Sequence, residues 1–162
     1  MPMETLSLQF CRSSNKHYGM FRKLTDDVLV APQIDLDSVA QAAADGVTLI
    51  INNRPEDESA DQTPGPNIEA AARAAGLDYI AIPVTHAGFA AWQVTAMAEA
   101  LENAEGKVLA YCRTGTRSTL LWALAQAFKG DHPAVLTEKA ADAGYDLTPI
   151  TAMMDMLRGR AA

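Results

Sequence analysis

The sequence predicts an α/β fold in which a mainly parallel central sheet of about four to five strands carries helices on both faces. Two observations lead to this prediction. Short apolar runs typical of buried strands alternate along the chain with amphipathic segments that have helical spacing. Hydrophobic residues make up 49% of the 162 residues, which is enough to form the core of one domain.

Strands are predicted from compact apolar runs that are bounded by glycine, proline and polar residues. The last of them leads directly into Cys112. Each run is separated from the next by a segment long enough for a helical crossover, which is what parallel neighbours require. The predicted strands cover residues 28–34, 47–51, 79–84 and 107–111.

Helices are predicted where apolar residues recur every three to four positions. The first ends at Gly46, and its apolar face consists of Leu36, Val39, Ala40 and Ala43. Residues 118–128 are apolar nearly all round, which indicates a helix buried in the middle of the domain. Both tryptophans, Trp92 and Trp122, are expected in the core. Further helices are predicted at 67–75, around 94–101, at 133–143, and from Thr148 and Pro149 onward with a buried face of Ile150, Met153, Met154 and Leu157.

Composition and charge narrow the range of partners. A formal net charge of −7 at pH 7 disfavours nucleic acid and anionic membranes, so local positive groups must attract any anionic substrate. No apolar run approaches a transmembrane length, and the first residues lack the apolar core of a signal peptide, so we expect a cytoplasmic protein.

Residues 1–19, which include Cys11, are predicted to form an ordered or disordered arm, or to reflect a start codon placed too early. Residues 20–162 form the single predicted domain, and its oligomeric state is left open.

The segment after the last strand predicts an anion-binding loop around a reactive thiol. Loop N–H groups and a helix N-terminus favour negative charge, and the same field stabilises a cysteine thiolate. Cys112 would be the nucleophile, and Arg117 offers a planar fork of donors to an oxyanion. Ser118 or Thr119 could donate to the thiolate and cap the helix. The bound anion would contact Arg113, Thr114, Gly115 and Thr116. The alternative is a buried structural cysteine beside an exposed arginine.

Two further segments should converge on this loop, because parallel strands end at the same edge of a sheet. Asn53 and Arg54 follow the second predicted strand, and Arg54 could be a second anion ligand facing Arg117 or one half of a surface salt bridge. His86 follows the third strand and is either a general acid or an exposed loop histidine. The acidic run Glu56, Asp57 and Glu58 could supply an acid, a helix-start charge or only a solvated face.

The loop Cys-x-x-Gly-x-Arg-Ser is similar to the active-site loop of rhodanese sulfurtransferases and is one residue shorter than the Cys-x-x-Gly-x-x-Arg loop of cysteine phosphatases. The order of segments 80–84 and 108–112 also resembles that of dual-specificity phosphatases. More closely, residues 24–26, 31–33, 50–55, 82–84 and 111–118 resemble the phosphatase-like domain of the beta-lactamase-hydrolase-like proteins, over about residues 20–128. The resemblance implies a cysteine-phosphatase-like fold. Members are described as candidate phosphatases and as candidate sulfurtransferases. Some are fused to a metallo-hydrolase domain, but this chain shows no metal-ligand cluster, and we predict no metal and no other cofactor.

Two departures from the phosphatase pattern favour sulfur chemistry. The shorter loop suits a compact group such as the terminal sulfur of a persulfide, and Thr85 and His86 stand where dual-specificity phosphatases place an aspartate acid. The sequence therefore predicts transfer of a sulfane sulfur through a persulfide on Cys112. One alternative is hydrolysis of a phosphorylated substrate through a cysteinyl-phosphate, with His86 or an acid near Asp57 as proton donor. A second alternative is a non-catalytic oxyanion or redox sensor.

Overall fold

The computed structural model describes residues 20–161, so the predicted arm and Cys11 lie outside the described residues. Helices and strands alternate as the sequence predicts, and none of the helices in the described part could cross a membrane. The strands are β1 (Arg22–Lys23), β2 (Val28–Ala31), β3 (Val47–Asn52), β4 (Asp78–Ala81) and β5 (Lys107–Tyr111). The helices are α1 (Leu36–Ala44), α2 (Gly65–Ala74), α3 (Ala91–Asn103), α4 (Thr116–Lys129), α5 (Pro133–Asp142) and α6 (Thr151–Leu157), the last preceded by a 3₁₀ turn at Thr148–Ile150.

The five strands form one sheet in the order β1-β2-β5-β3-β4. Only β1 runs antiparallel to its neighbour, and the other pairings are parallel. The prediction of a mainly parallel α/β sheet is therefore confirmed. The short strand β1 was not predicted, because Arg22 and Lys23 are exposed and form no apolar run. Strand β5 lies in the centre, so the chain enters Cys112 from the most enclosed strand of the sheet.

Helices cover both faces of the sheet, as the sequence predicts. Helices α1 and α2 pack on one face, and α3 to α6 pack on the other. Trp122 in α4 is 1% exposed and lies in the core as expected. The prediction for Trp92 is wrong, since its side chain is 56% exposed. It stands two residues before the buried Val94, and two residues turn a helix by about 200°, which places Trp92 on the outer side.

The last helix is preceded by a turn at Asp146 and by the 3₁₀ turn, whose N-cap residue is Leu147. The Oδ1 atom of Asp146 accepts hydrogen bonds from the backbone N–H of Thr148 at 2.9 Å and from its hydroxyl at 2.6 Å. These bonds shape the turn before the helix, because neither the 3₁₀ turn nor α6 has a side-chain cap. The predicted apolar face is confirmed, with Ile150 and Met154 buried and Met153 and Leu157 partly buried.

Backbone hydrogen bonds join the segments that follow β2, β3, β4 and β5 at one edge of the sheet. The N–H of Asn53 donates to the carbonyl of Tyr111 at 2.8 Å, and the N–H of Val84 donates to the carbonyl of Asn53 at 2.9 Å. On the other side, the N–H of Gln33 donates to the carbonyl of Arg113 at 3.3 Å. The predicted convergence of these segments beside Cys112 is confirmed.

Candidate active site

The Cys112 thiol lies at the floor of the β5–α4 loop and is fully buried. Its Sγ atom accepts a hydrogen bond from the N–H of Gly115 at 3.1 Å. Gly115 has a φ of 90°, a left-handed conformation that glycine adopts without steric cost, and it is the N-cap of α4. A loop amide is thus directed at the sulfur, and the first peptide groups of a 14-residue helix lie behind it.

Arg117, in the first turn of α4, is held at the end of its guanidinium group by Glu58. Its Nη1 and Nη2 atoms donate to the two carboxylate oxygens at 2.8 and 2.7 Å, and Nη1 also donates to the carbonyl of Val84 at 2.7 Å. A guanidinium has five N–H donors in one plane, so these three bonds leave Nε–H and the second Nη2 proton along its side. The hydrogen bonds that Arg117 donates to Glu58 raise the pKa of Arg117 most, and the nearby Cys112 side chain raises it further. Arg117 is therefore fixed beside the thiol, with a two-donor edge that binds neither Glu58 nor Val84.

Arg54 supports Glu58 from the other side. Its side chain is 4% exposed, and its Nε donates at 2.9 Å to Oε1 of Glu58, the oxygen that also accepts from Nη2 of Arg117. Its Nη1 donates to Gln33 at 2.9 Å, and its Nη2 donates to Ser59 at 3.0 Å. The salt bridge considered for Arg54 exists, but it is buried rather than on the surface. The Glu58 carboxylate thus accepts hydrogen bonds from both arginines. Arg54 contacts Glu58 and not an open anion site, unlike the second anion ligand considered from the sequence.

The three acidic residues after Arg54 have different surroundings. The Arg117 hydrogen bond, with a smaller contribution from Arg54, lowers the pKa of Glu58 from 4.5 to about 2, against the opposing effect of burial. Glu58 is therefore ionised at neutral pH and cannot donate a proton. The Oε1 atom of Glu56 accepts from the N–H of Gly65 at 2.8 Å, so this residue is the helix-start charge of α2. Asp57 is exposed in a turn with a φ of 60°.

The acid limb of the stability curve should depend on Glu58. Its pKa is lower in the folded protein, so its contribution of about 3 kcal/mol is complete above about pH 4.5 and is lost as the pH falls toward about 2. Glu58→Gln should lower the free energy of unfolding by about 3 kcal/mol at neutral pH and flatten its change over that window. Urea unfolding at a series of pH values measures both effects.

The matched control is Glu69→Gln, which removes one half of an exposed pair with Arg73. We expect a change of less than about 0.5 kcal/mol at all pH values for this control. A Glu58→Gln curve that runs parallel to the wild-type curve would contradict the assignment.

Three buried polar side chains connect the strand ends to α4. The amide of Asn53 donates to the carbonyl of Ile82 at 2.9 Å, and its oxygen accepts from the Ser118 hydroxyl at 2.7 Å. The Thr119 hydroxyl donates to the carbonyl of Gly115 at 2.8 Å. Both hydroxyl protons are therefore directed at oxygen atoms rather than at the thiol. Asn53 and Ser118 lie next to the loop, and their hydrogen bonds hold the base of it.

The outer part of the loop and the loop after β4 are exposed. Arg113, Thr114 and Thr116 are solvent-accessible, and the two threonine hydroxyls lie 3.0 Å apart. His86 is exposed in a turn, and the preceding Val84 supplies the carbonyl that binds Arg117. The structure thus brings the His86 loop to the same side as Arg117, as predicted from the strand order.

Two residues near the loop were not identified from the sequence. Gln33, after β2, binds Arg54 through its side chain and the loop through its backbone. Tyr145, between α5 and α6, donates its hydroxyl proton to the carbonyl of Thr114 at 3.1 Å. Gln33 lies in a segment that carries the family resemblance, but that resemblance assigns it no role, and Tyr145 belongs to no local pattern that would have indicated its position.

The chain is similar to known proteins over most of its length. Residues 20–129 match the family described as the phosphatase-like domain of beta-lactamase hydrolase-like protein. The Beta-lactamase hydrolase-like protein of Xylella fastidiosa is 32% identical over 125 residues, which are 76% of this chain and 29% of that protein. The corresponding protein of Agrobacterium fabrum is 32% identical over 108 residues, 67% of this chain and 25% of that protein. The chain therefore spans less than a third of the length of these relatives.

Solved structures extend the comparison. A candidate phosphatase from Neisseria meningitidis is 31% identical, with a TM-score of 0.75 over 86% of this chain and 99% of its own. Tk-PTP in its active form is 13% identical, with a TM-score of 0.66 over 87% of this chain and 97% of its own, which shows a likeness of fold. The expected cysteine-phosphatase-like fold is confirmed.

Proposed function

The chain belongs to the family of phosphatase-like domains of the beta-lactamase hydrolase-like proteins, and on this premise we propose that it hydrolyses phosphate monoesters through a cysteinyl-phosphate on Cys112. The observation that supports the proposal most is the arrangement of Arg117. Glu58 holds the end of its guanidinium, the thiol lies nearby, and two donors remain for the oxygens of a phosphoryl group.

The proposed reaction has two steps. In the first, the Cys112 thiolate attacks phosphorus, the S–P bond forms, and the bond to the ester oxygen breaks while that oxygen takes up a proton. In the second, water attacks phosphorus, loses a proton, and displaces the thiolate to release inorganic phosphate. Arg117 and the N–H of Gly115 stabilise the charge on the phosphoryl oxygens in both steps. Arg54 and Asn53 hold other residues of the site in place and do not bind the substrate, because their side chains donate to protein groups.

The sequence-based preference for sulfur transfer receives no support from the comparisons, which favour the phosphatase alternative. One observation keeps sulfur transfer as a second candidate. Only four residues separate Cys112 from Arg117, and a loop of this size suits a smaller group than a phosphoryl group. A persulfide on Cys112 would receive its sulfur from a sulfane donor such as thiosulfate, with sulfite as the leaving group.

A parallel assay separates the two reactions. The purified protein is incubated with an aryl phosphate in one series and with thiosulfate plus cyanide in the other, with Cys112→Ser as background. We expect release of the phenol and phosphate from the wild type and no thiocyanate. Thiocyanate formation without phosphate release would overturn the proposal in favour of sulfur transfer. Anion binding without either reaction would instead identify a sensor.

His86 is the proposed proton donor for the leaving oxygen. Glu58 is ionised and Glu56 binds the start of α2, whereas His86 lies on the loop that contacts Arg117. His86→Asn should lower kcat for phenyl phosphate by about 100-fold, because a poor leaving group needs a proton. The loss for 4-nitrophenyl phosphate should be less than about tenfold, since its phenolate leaves readily. Steady-state kinetics on the two esters measure the difference.

The control for this substitution is His132→Asn, because His132 caps α5 through its Nδ1 atom and asparagine is also a good N-cap. It should leave both rates unchanged. Equal losses on the two esters in His86→Asn would show that His86 is not the acid.

A further inference from the structure

One peptide group in the cysteine loop is held at both ends. The N–H of Gly115 donates to the Sγ atom of Cys112 at 3.1 Å. The carbonyl of the same peptide group, which belongs to Thr114, accepts from the Tyr145 hydroxyl at 3.1 Å. A trans peptide is planar, and its C=O and N–H point in opposite directions. A bond that fixes the carbonyl therefore also fixes the direction of the N–H.

We propose that Tyr145 is a positioning residue that keeps the Thr114–Gly115 peptide group turned so that its N–H faces the thiol and the phosphoryl group. The inference rests on the proposed function in one respect, namely that the loop receives phosphoryl oxygens. Without the tyrosine hydroxyl, the exposed Thr114 carbonyl would bond to water, and the peptide group could rotate so that the carbonyl oxygen faced the anion. That rotation would replace a donor with a repelling acceptor.

Tyr145 is itself held in place by two contacts, one from Arg22 and one from its own backbone N–H. The Arg22 guanidinium lies 5.7 Å from the centre of the Tyr145 ring, and its Nη1 atom donates to the carbonyl of Ala143 at 3.0 Å. The backbone N–H of Tyr145 donates to the carbonyl of Ala140 at 2.8 Å. Burial raises the pKa of Tyr145, so its hydroxyl keeps its proton and remains a donor. The strand β1 and the end of α5 thus fix the hydroxyl against the loop.

The absence of a side chain at position 115 fits this contact. A Cβ atom at Gly115 would clash with the Tyr145 hydroxyl and would lie 3.4 Å from the carbonyl of Ala31. Tyr145 therefore occupies the space that a side chain at position 115 would need. The family match ends at residue 129, so the region after it supplies this part of the site.

The test compares Tyr145→Phe, which keeps the ring, with the wild type and with Thr137→Val. Thr137 also donates a hydroxyl to a backbone carbonyl, at 2.8 Å, but on the exposed face of α5. Uniformly ¹⁵N-labelled proteins are studied by NMR, first free and then with increasing inorganic phosphate. In the free Tyr145→Phe protein, the Gly115 amide should shift and exchange with solvent at least about tenfold faster. The Kd of the Tyr145→Phe protein for phosphate should rise about tenfold, because one charge-assisted hydrogen bond to the anion is lost.

Each outcome decides the question. Unchanged Gly115 exchange and unchanged phosphate affinity in Tyr145→Phe would overturn the inference, whatever the activity of the enzyme. A changed Gly115 amide supports it even if the wild type hydrolyses no monoester, so the two proposals fail separately. Thr137→Val should match the wild type, and equal changes in this control would also overturn the inference. If Tyr145→Phe does not fold, Arg22→Met, which releases the ring from outside, should produce a smaller shift of the same amide, and no shift would count against the proposal.

Discussion

Replacing Cys112 with serine is expected to lower kcat for aryl phosphates by at least about 10⁴-fold. The Gly115 N–H donates to the Cys112 sulfur and Arg117 lies beside it, and both groups interact more strongly with an anion than with a neutral hydroxyl. A serine hydroxyl would have to lose its proton before attack, and the neighbouring carboxylate of Glu58 is committed to two arginines. Serine would therefore remain protonated and unreactive.

The affinity of Cys112→Ser for inorganic phosphate should stay within about threefold of the wild-type value, because the loop donors and Arg117 are retained. Calorimetric titration with phosphate and steady-state kinetics measure the two quantities on one preparation. Activity that survives the substitution would place the nucleophile elsewhere, and loss of phosphate binding together with activity would point to a collapsed loop rather than to a missing nucleophile.

Arg117→Lys is expected to lower kcat/KM by about 10³-fold, although the positive charge remains. A lysine ammonium is a point charge on a flexible stem and cannot bind Glu58 with two parallel bonds while offering a second two-donor edge. The substitution should also leave Glu58 with a poorer partner and lower the melting temperature. Kinetics on an aryl phosphate and thermal unfolding measure the two effects.

Arg73→Lys is the matched control, because Arg73 forms an exposed pair with Glu69 on α2. It should change neither kcat/KM nor the melting temperature by a measurable amount. If Arg117→Lys retained wild-type kcat/KM, charge alone would suffice, and the role assigned to the guanidinium edge would be wrong.

Local sequence patterns predicted the features of this protein that arise from local physics. The apolar run at Lys107–Tyr111 matches β5 at both ends, because a buried central strand is apolar on both faces. Cys112 and Gly115 could also be placed beside a helix start, because the strand, the loop and the helix follow each other directly along the chain.

Features that depend on distant contacts could not be predicted from the sequence. Glu58 differs from its two acidic neighbours only through contacts with Arg54 and with Arg117, which is 59 positions away. Tyr145 reaches the loop from 31 positions along the chain. Trp92 illustrates a different error. Its hydrophobicity alone predicted a core position, but its place in the helical turn directs the side chain outward.

The most direct test of a phosphoryl-cysteine mechanism is to measure, during turnover, the mass of the peptide that contains Cys112. The enzyme is mixed with excess 4-nitrophenyl phosphate and stopped within the first turnovers by denaturant at alkaline pH, which preserves the acid-labile S–P bond. It is then digested at alkaline pH and analysed by mass spectrometry. We expect the peptide that contains Cys112 to gain the mass of one phosphoryl group, and we expect the corresponding Cys112→Ser peptide to gain nothing. A Cys112 peptide without phosphate while nitrophenol is being released, or one that carries only an added sulfur, would contradict the mechanism.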